Sequence, residues 1–136
     1  CNARLDPFLP SRLCLGFIPD LARKIYAGAD FFLMPSKSEP CGLSQMVALR
    51  YGTIPIVRET GGLRDSVTDS GDGEGNGFVF SSYNARDMLF AIKRAVSGYE
   101  DKTGWPILVK RAMDSDNSWG KSANDYIKMY KEVLKG

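Results

Sequence analysis

The sequence predicts an α/β fold, a Rossmann-like open parallel sheet with helices on both faces. Short apolar runs alternate with stretches whose apolar residues recur every three or four positions, and the run at residues 53–57 is β-branched. Connection rules favour parallel strands for such an alternation. A chain of 136 residues with 43% hydrophobic residues is long enough to form one domain with its own core.

The predicted elements follow in order. Residues 2–11 contain two prolines and no periodicity, which predicts a loop. Apolar runs predict strands at residues 13–18, 31–33, 53–57 and 77–80. Helical spacing predicts helices at residues 19–28, 43–52, 84–98 and 107–113, and a last helix from about residue 118 whose apolar stripe faces the core or a neighbouring domain. Residues 69–77 are predicted to be a flexible acidic loop.

The stretch from residue 31 to residue 52 has the order strand, loop, helix. Pro35 ends the strand, and beyond Gly42 the helical spacing is carried by Leu43, Met46, Val47 and Arg50. Such a loop lies at the carboxyl end of its strand, where ligands bind, and the helix start favours an anion. Glu39 in this loop would repel phosphate unless it addresses a neutral part of the ligand, such as sugar hydroxyls.

Composition excludes several classes of protein. The net charge of +2 gives no sign of a nucleic-acid partner, and no apolar run approaches the 18 residues of a membrane span. The odd count of three cysteines suggests reduced thiols in an intracellular setting. The absence of histidine rules out Ser–His–Asp and Cys–His nucleophiles within these residues. The Cys at position 1 and the irregular stretch after it suggest a fragment of a longer protein.

Five residues carry two interpretations each. Gly61 and Gly62 either let the backbone approach a ligand or take positive φ, or form a simple turn. Cys41 is either an activated thiol near a helix start or a packing thiol. Lys37 is a phosphate contact or a solvated lysine, and Phe17 stacks on a nucleotide base or belongs to the core.

Residues 36–67 (SKSEPCGLSQMVALRYGTIPIVRETGGLRDSV) resemble the glycogen synthase and starch synthase family, which are retaining glucosyltransferases of the GT-B fold. The resemblance is carried by Glu39-Pro40-Cys41-Gly42-Leu43 with Ser44, by Arg50-Tyr51-Gly52-Thr53, and by Thr60-Gly61-Gly62-Leu63 with Asp65. It extends over nearly the whole chain. It implies that residues 1–136 are the single carboxyl-terminal, nucleotide-sugar-binding domain of a two-domain enzyme.

The resemblance implies transfer of glucose from ADP-glucose or UDP-glucose to the non-reducing end of an α-1,4-glucan, with retention. Glu39 is then the catalytic residue beside the transferred glucose. The donor-binding residues implied are Phe17 at the base, Ser36, Lys37, the backbone of Cys41, Gly42 and Leu43, Ser44 at phosphate or ribose, and Gly61 and Gly62 near the distal phosphate. Neither a metal nor another cofactor is expected, because helix N-termini and basic side chains stabilise the leaving diphosphate in this fold.

Two departures qualify the resemblance. Val47 stands where related transferases carry a second glutamate, eight residues after the first, which favours the synthase branch. The arginine and lysine that grip the diphosphate, and the amino-terminal acceptor domain, precede this segment in the family. The isolated chain is therefore expected to bind weakly and to transfer nothing, and the whole enzyme is expected in the cytoplasm. The rivals are a non-enzymatic nucleotide- or glucan-binding module and an epimerase or phosphorylase of the same fold.

Overall fold

The computed structural model describes residues 14–135, so the loop predicted at residues 2–11 lies outside the described residues. Within this range the chain forms three strands: β1 Phe31–Met34, β2 Ile54–Arg58 and β3 Phe78–Phe80. They lie in the order β1-β2-β3 and both pairs are parallel, with Phe31 opposite Ile54 and Ile56 opposite Phe78. The predicted α/β class and the open parallel sheet are confirmed.

The described part of the chain also contains six α-helices. Pro19 occupies the first turn of the first helix, and Gly52 caps the second one in the left-handed conformation. Asn84 and Ser118 act as side-chain N-caps of the fourth and sixth helices. The short third helix was not expected from the sequence. The bounds are α1 Pro19–Gly28, α2 Ser44–Tyr51, α3 Gly62–Ser66, α4 Ala85–Glu100, α5 Gly104–Met113 and α6 Trp119–Val133.

The sheet is covered on both faces, as predicted. Alternation along β2 sends Ile56 to one face and Val57 to the other. The larger cluster contains Leu49, Ile54, Ile56, Phe78, Phe80, Ala91, Ala95, Leu108 and Ala112. The smaller cluster joins Val57 to Leu63 of α3 and to Val67. Because Ala91 and Ala95 are small and fully buried, the backbone of α4 packs closely on the sheet.

The strand predicted at residues 13–18 is wrong for the described residues 14–18, which lie outside any strand. The side chain of Phe17 is 94% exposed, and those of Leu15 and Ile18 are also exposed. A strand is stabilised by burying one face, and residues 14–18 are exposed. The described chain therefore alternates strand and helix three times rather than four.

The helix after the central loop is present, but the sequence indicated the wrong face of it. Leu43 and Val47 are exposed, whereas Gln45, Ala48 and Leu49 are buried. The same helical spacing is compatible with more than one rotation of the helix about its axis, and a glutamine was not expected on the buried face. In α6 no described residue is buried, so the core interpretation of its apolar stripe is also wrong.

The acidic loop at residues 69–77 is anchored rather than free. Asp69 accepts hydrogen bonds from the backbone N–H groups of Gly71 and Val79 at 2.8 and 2.7 Å. Its two carboxylate oxygens also form a bidentate pair with Arg94 of α4, at 2.7 and 2.8 Å. These bonds tie the loop, β3 and α4 together.

None of the helices in the described range has the length and apolar character needed to cross a membrane.

Candidate functional site

The carboxyl ends of β1, β2 and β3 meet at one edge of the sheet, where the loops at residues 35–43, 59–61 and 81–84 begin. Arg58, the last residue of the central strand, joins the two outer loops. Its Nη1 donates to the carbonyl of Lys37 at 2.6 Å, and its Nε donates to the carbonyl of Ser81 at 3.2 Å. The guanidinium also lies 5.6 Å from the ring centroid of Tyr83. This edge is the position at which open parallel sheets bind ligands.

The Gly61-Gly62 turn lies directly against the loop that carries Glu39. The N–H of Gly62 donates to the carbonyl of Glu39 at 3.1 Å. A Cβ at Gly61 would lie 1.9 Å from the backbone carbonyl oxygen of Glu39. A Cβ at Gly62 would lie 2.0 Å from the backbone carbonyl oxygen of Cys41. Gly61 also has a positive φ of 47°. The expected positive φ is confirmed at Gly61. The close approach seen here is to this chain's own backbone, and an approach to a ligand stays a prediction.

A buried side chain fixes the start of α2 from beneath. Nε2 of Gln45 donates to the carbonyl of Gly42 at 2.8 Å and to Oγ of Ser66 at 3.0 Å. Oγ of Ser66 donates in turn to the carbonyl of Gly62 at 2.7 Å. The two loops are thus joined both by a direct backbone hydrogen bond and through the side chains of Gln45 and Ser66.

The N-terminus of α2 opens toward this edge without a side-chain cap. Its N-cap residue is Leu43, whose side chain has no oxygen with which to accept a hydrogen bond from the first turn. The N–H groups of the first turn are therefore left for solvent or for a ligand, and the helix dipole makes this end favourable for negative charge.

The structure brings most of the predicted site residues together at this edge. Glu39, Ser36 and Ser44 are half-buried, Gly42 is buried, and Lys37 and Leu43 are exposed. Cys41 has a free, exposed thiol, so its interpretation as a packing thiol is wrong.

Phe17 lies in a separate segment before α1. It lines a groove of about 210 Å³ together with Ile18, Leu21 and Ile25. Because its side chain is 94% exposed, the core interpretation is wrong. An exposed aromatic ring is available for stacking.

Sequence reasoning missed three residues that build the edge: Arg58, Gln45 and Ser66. Arg58 had a signal, because it directly follows a buried strand and so stands at the ligand-binding edge. Gln45 had no such signal, because helical spacing alone does not decide that the face of Gln45, Ala48 and Leu49 is the buried one. Ser66 had none, because its role depends on the unpredicted helix α3.

Within residues 14–135, the acidic and cysteine side chains form no group of three or more that could hold a metal ion.

Sequence comparison identifies the protein family to which this fold belongs. The profile of the family described as glycosyl transferases group 1 matches residues 13–105, which is more than half of the chain. The chain therefore belongs to the glycosyl transferases group 1 family.

Its similar relatives include proteins named glycogen synthase. One from Bacillus cereus (strain ATCC 10987 / NRS 248) is 57% identical over 125 residues, which is 90% of this chain and 26% of that protein. Another, from Clostridium novyi (strain NT), is 58% identical over 116 residues, covering 84% of this chain and 24% of that protein. The chain thus spans about a quarter of the length of these relatives, and the resemblance to this family is confirmed.

Two solved structures are also similar. The catalytic domain of starch synthase IV from Arabidopsis thaliana, bound to ADP and acarbose, matches with a TM-score of 0.80 and 43% identity over 92% of this chain and 27% of that one. Sucrose-phosphate synthase from Thermosynechococcus elongatus matches with a TM-score of 0.55 and 25% identity, over 81% of this chain and 27% of that one.

Proposed function

We propose that this chain is the carboxyl-terminal, donor-binding domain of a two-domain α-glucan synthase. The whole enzyme transfers glucose from ADP-glucose or UDP-glucose to the non-reducing end of an α-1,4-glucan, with retention, in the cytoplasm. The similarity to proteins named glycogen synthase and to a starch synthase bound to ADP and acarbose supports this assignment. The amino-terminal domain supplies the acceptor site.

The observation that carries the proposal is the hydrogen bond of 3.1 Å between the N–H of Gly62 and the carbonyl of Glu39. It joins the two loops to which the resemblance assigns the transferred glucose and the distal phosphate. A donor sugar joined to a diphosphate has these same two parts, one neutral and one anionic. Two adjoining loops at one edge of the sheet suit such a ligand.

Charge supports the same arrangement. The uncapped N-terminus of α2 offers N–H groups to the diphosphate, through Cys41, Gly42, Leu43 and Ser44. The carboxylate of Glu39 hydrogen-bonds sugar hydroxyls and stabilises the positive charge that develops on the sugar in the transition state. Ser36, Lys37 and the exposed ring of Phe17 complete the donor contacts in this proposal, with Phe17 against the base.

Replacement of Glu39 in the full-length protein tests the proposal. Glu39→Gln keeps the shape of the side chain and removes its charge, so we expect transfer to fall roughly 100-fold or more, with nucleotide binding retained. Glu100→Gln is the matched control, because Glu100 is exposed at the far end of α4. The measurement is incorporation of labelled glucose into glucan.

The products also separate the rival functions. An epimerase would release no glucan, and a phosphorylase would depend on pyridoxal phosphate. A non-enzymatic module would bind nucleotide or glucan and form no product. If Glu39→Gln transferred glucose as fast as the wild type, the catalytic assignment of Glu39 would be wrong.

A further inference from the structure

Gln45 and Thr53 are the polar side chains that are buried in the described part of the chain, and both are almost completely inaccessible to solvent. They lie at opposite ends of the sheet. Thr53 precedes β2 and donates to the carbonyl of Ala29 at 2.9 Å, next to α1. Gln45 lies in the first turn of α2, beneath the loop that carries Glu39. A buried amide at this place needs an explanation, because burial of polar groups is costly.

The hydrogen bonds of Gln45 close a ring through both loops of the candidate site. The ring runs from the amide of Gln45 to the hydroxyl of Ser66, at 3.0 Å, and from that hydroxyl to the carbonyl of Gly62, at 2.7 Å. The N–H of Gly62 then reaches the carbonyl of Glu39 at 3.1 Å. The second N–H of the Gln45 amide returns to the carbonyl of Gly42 at 2.8 Å.

Gln45 takes part in this ring through the N–H groups of its amide and not through the amide oxygen. Oε1 of Gln45 is buried and has no hydrogen-bond partner among residues 14–135, which is unfavourable in itself. A Cβ at position 42 would lie 2.5 Å from this oxygen, so the amide packs against the bare Cα of Gly42. The two N–H groups are therefore what this glutamine supplies. A methionine could fill the same space without them.

We propose that Gln45 is a positioning residue for the reaction. It holds the loop of Glu39 at a fixed distance from the Gly61-Gly62 turn, and thereby sets the carboxylate relative to the donor. This inference rests on the proposed function. Gln45 acts through Gly42 and Ser66, and it does not itself meet the donor. Displacement of a catalytic group by about 1 Å can lower a rate by about two orders of magnitude, so such a support has a large effect on turnover.

The test compares Gln45→Met and Ser66→Ala with Thr53→Val in the two-domain enzyme. Each change removes a side-chain hydrogen-bond donor, and Thr53→Val does so at the opposite end of the sheet. We expect Gln45→Met to lower kcat/KM for the nucleotide sugar by about tenfold or more, with the KM for glucan unchanged. Ser66→Ala also lowers kcat/KM for the nucleotide sugar, because it removes the hydroxyl that joins Gln45 to Gly62. Thr53→Val lowers Tm and leaves kcat/KM at the wild-type value.

Amide hydrogen exchange in this chain gives a second readout that does not depend on activity. In Gln45→Met the N–H of Gly62 should exchange about tenfold faster than in the wild type, whereas in Thr53→Val it should not change. The positioning role is overturned if Gln45→Met leaves the exchange rate of the Gly62 N–H unchanged. It is also overturned if Gln45→Met and Thr53→Val lose kcat/KM in the same proportion to their loss of Tm. If the wild-type enzyme transferred no glucose, the proposed function would fail, and the exchange measurement would still decide whether Gln45 holds the two loops.

Discussion

At the scale of single residues, the requirement for glycine at position 62 comes from contact between two backbones. Gly62 begins α3, and an added Cβ would lie 2.0 Å from the carbonyl oxygen of Cys41. Neither that carbonyl nor the first turn of α3 is a flexible side chain that could turn away. One of the two loops must therefore move to accept a larger residue.

Gly62→Ala is expected to lower the free energy of unfolding by about 2–3 kcal/mol, the usual cost of overpacking a site that cannot relax. Urea unfolding measures it. Gly28→Ala is the matched control, since Gly28 also lies at a helix end and has open space around its Cα. Alanine there should be neutral or slightly stabilising. Equal midpoints for the two variants would contradict the backbone contact.

The sequence located much of the site at this scale. Pro35, Glu39 and Gly42 indicated a loop before a helix at the edge where ligands bind, and the paired glycines indicated positive φ or a close approach to a ligand. The contact of this turn with the backbone of Glu39 and Cys41 could not be predicted, because it depends on which loops meet after the sheet forms. Gln45 was missed for a related reason: its burial is favourable only when Gly42 and Ser66 supply acceptors, and the positions of both depend on the fold.

At the scale of elements, the pair of Asp69 and Arg94 connects the end of one loop to the middle of α4. Burial alone would raise the pKa of Asp69. The hydrogen bond from Arg94, the N–H groups of Val79 and Gly71, and the charge of Arg94 together outweigh burial and hold the pKa below its ordinary value. Asp69 therefore stabilises the fold in its charged form.

The stabilisation from Asp69 is present above the ordinary carboxyl pKa near 3.8 and is lost as the pH falls through the lower pKa of the folded state. Asp69→Asn should lower the free energy of unfolding by about 2 kcal/mol at pH 7, because it removes charge-assisted hydrogen bonds. The difference in unfolding free energy between Asp69→Asn and the wild type should become smaller below about pH 4.

Unfolding by urea at pH 7 and at pH 3 checks this prediction. Asp20→Asn is the control, since Asp20 pairs with Arg23 on the exposed surface of α1, where such pairs contribute little. A similar small effect of both substitutions at pH 7 would show that the bidentate pair does not hold the loop.

The three described strands and most helix ends were predictable, because each has a local signal. An aromatic and apolar run marks β1, a β-branched run marks β2, Asn84 and Ser118 cap their helices, and Gly52 ends α2. The buried face of α2 was not predictable in this way. Periodicity fixes the spacing of buried positions, while contact with the sheet decides which rotation of the helix is used.

At the scale of the whole molecule, two apolar stretches remain exposed. Residues 14–18 and the stripe of α6, in which Trp119 is 90% exposed, were both given buried roles by their sequence pattern. An apolar pattern indicates that a surface favours a partner, but it does not say whether the partner lies in the same domain. A neighbouring domain against α6 stays a prediction.

The central claim is that this chain binds a nucleotide sugar at the edge formed by the loops of Glu39 and Gly61-Gly62. Its most direct test is an amide chemical-shift titration of the chain with ADP, UDP, ADP-glucose and maltoheptaose, which detects weak binding and reports its location. We predict nucleotide-dependent shifts at Phe17, in residues 39–44 and at the glycine pair, and the nucleotide that binds more tightly identifies the donor. Shifts with maltoheptaose alone, or none with any ligand at millimolar concentration, would contradict the claim.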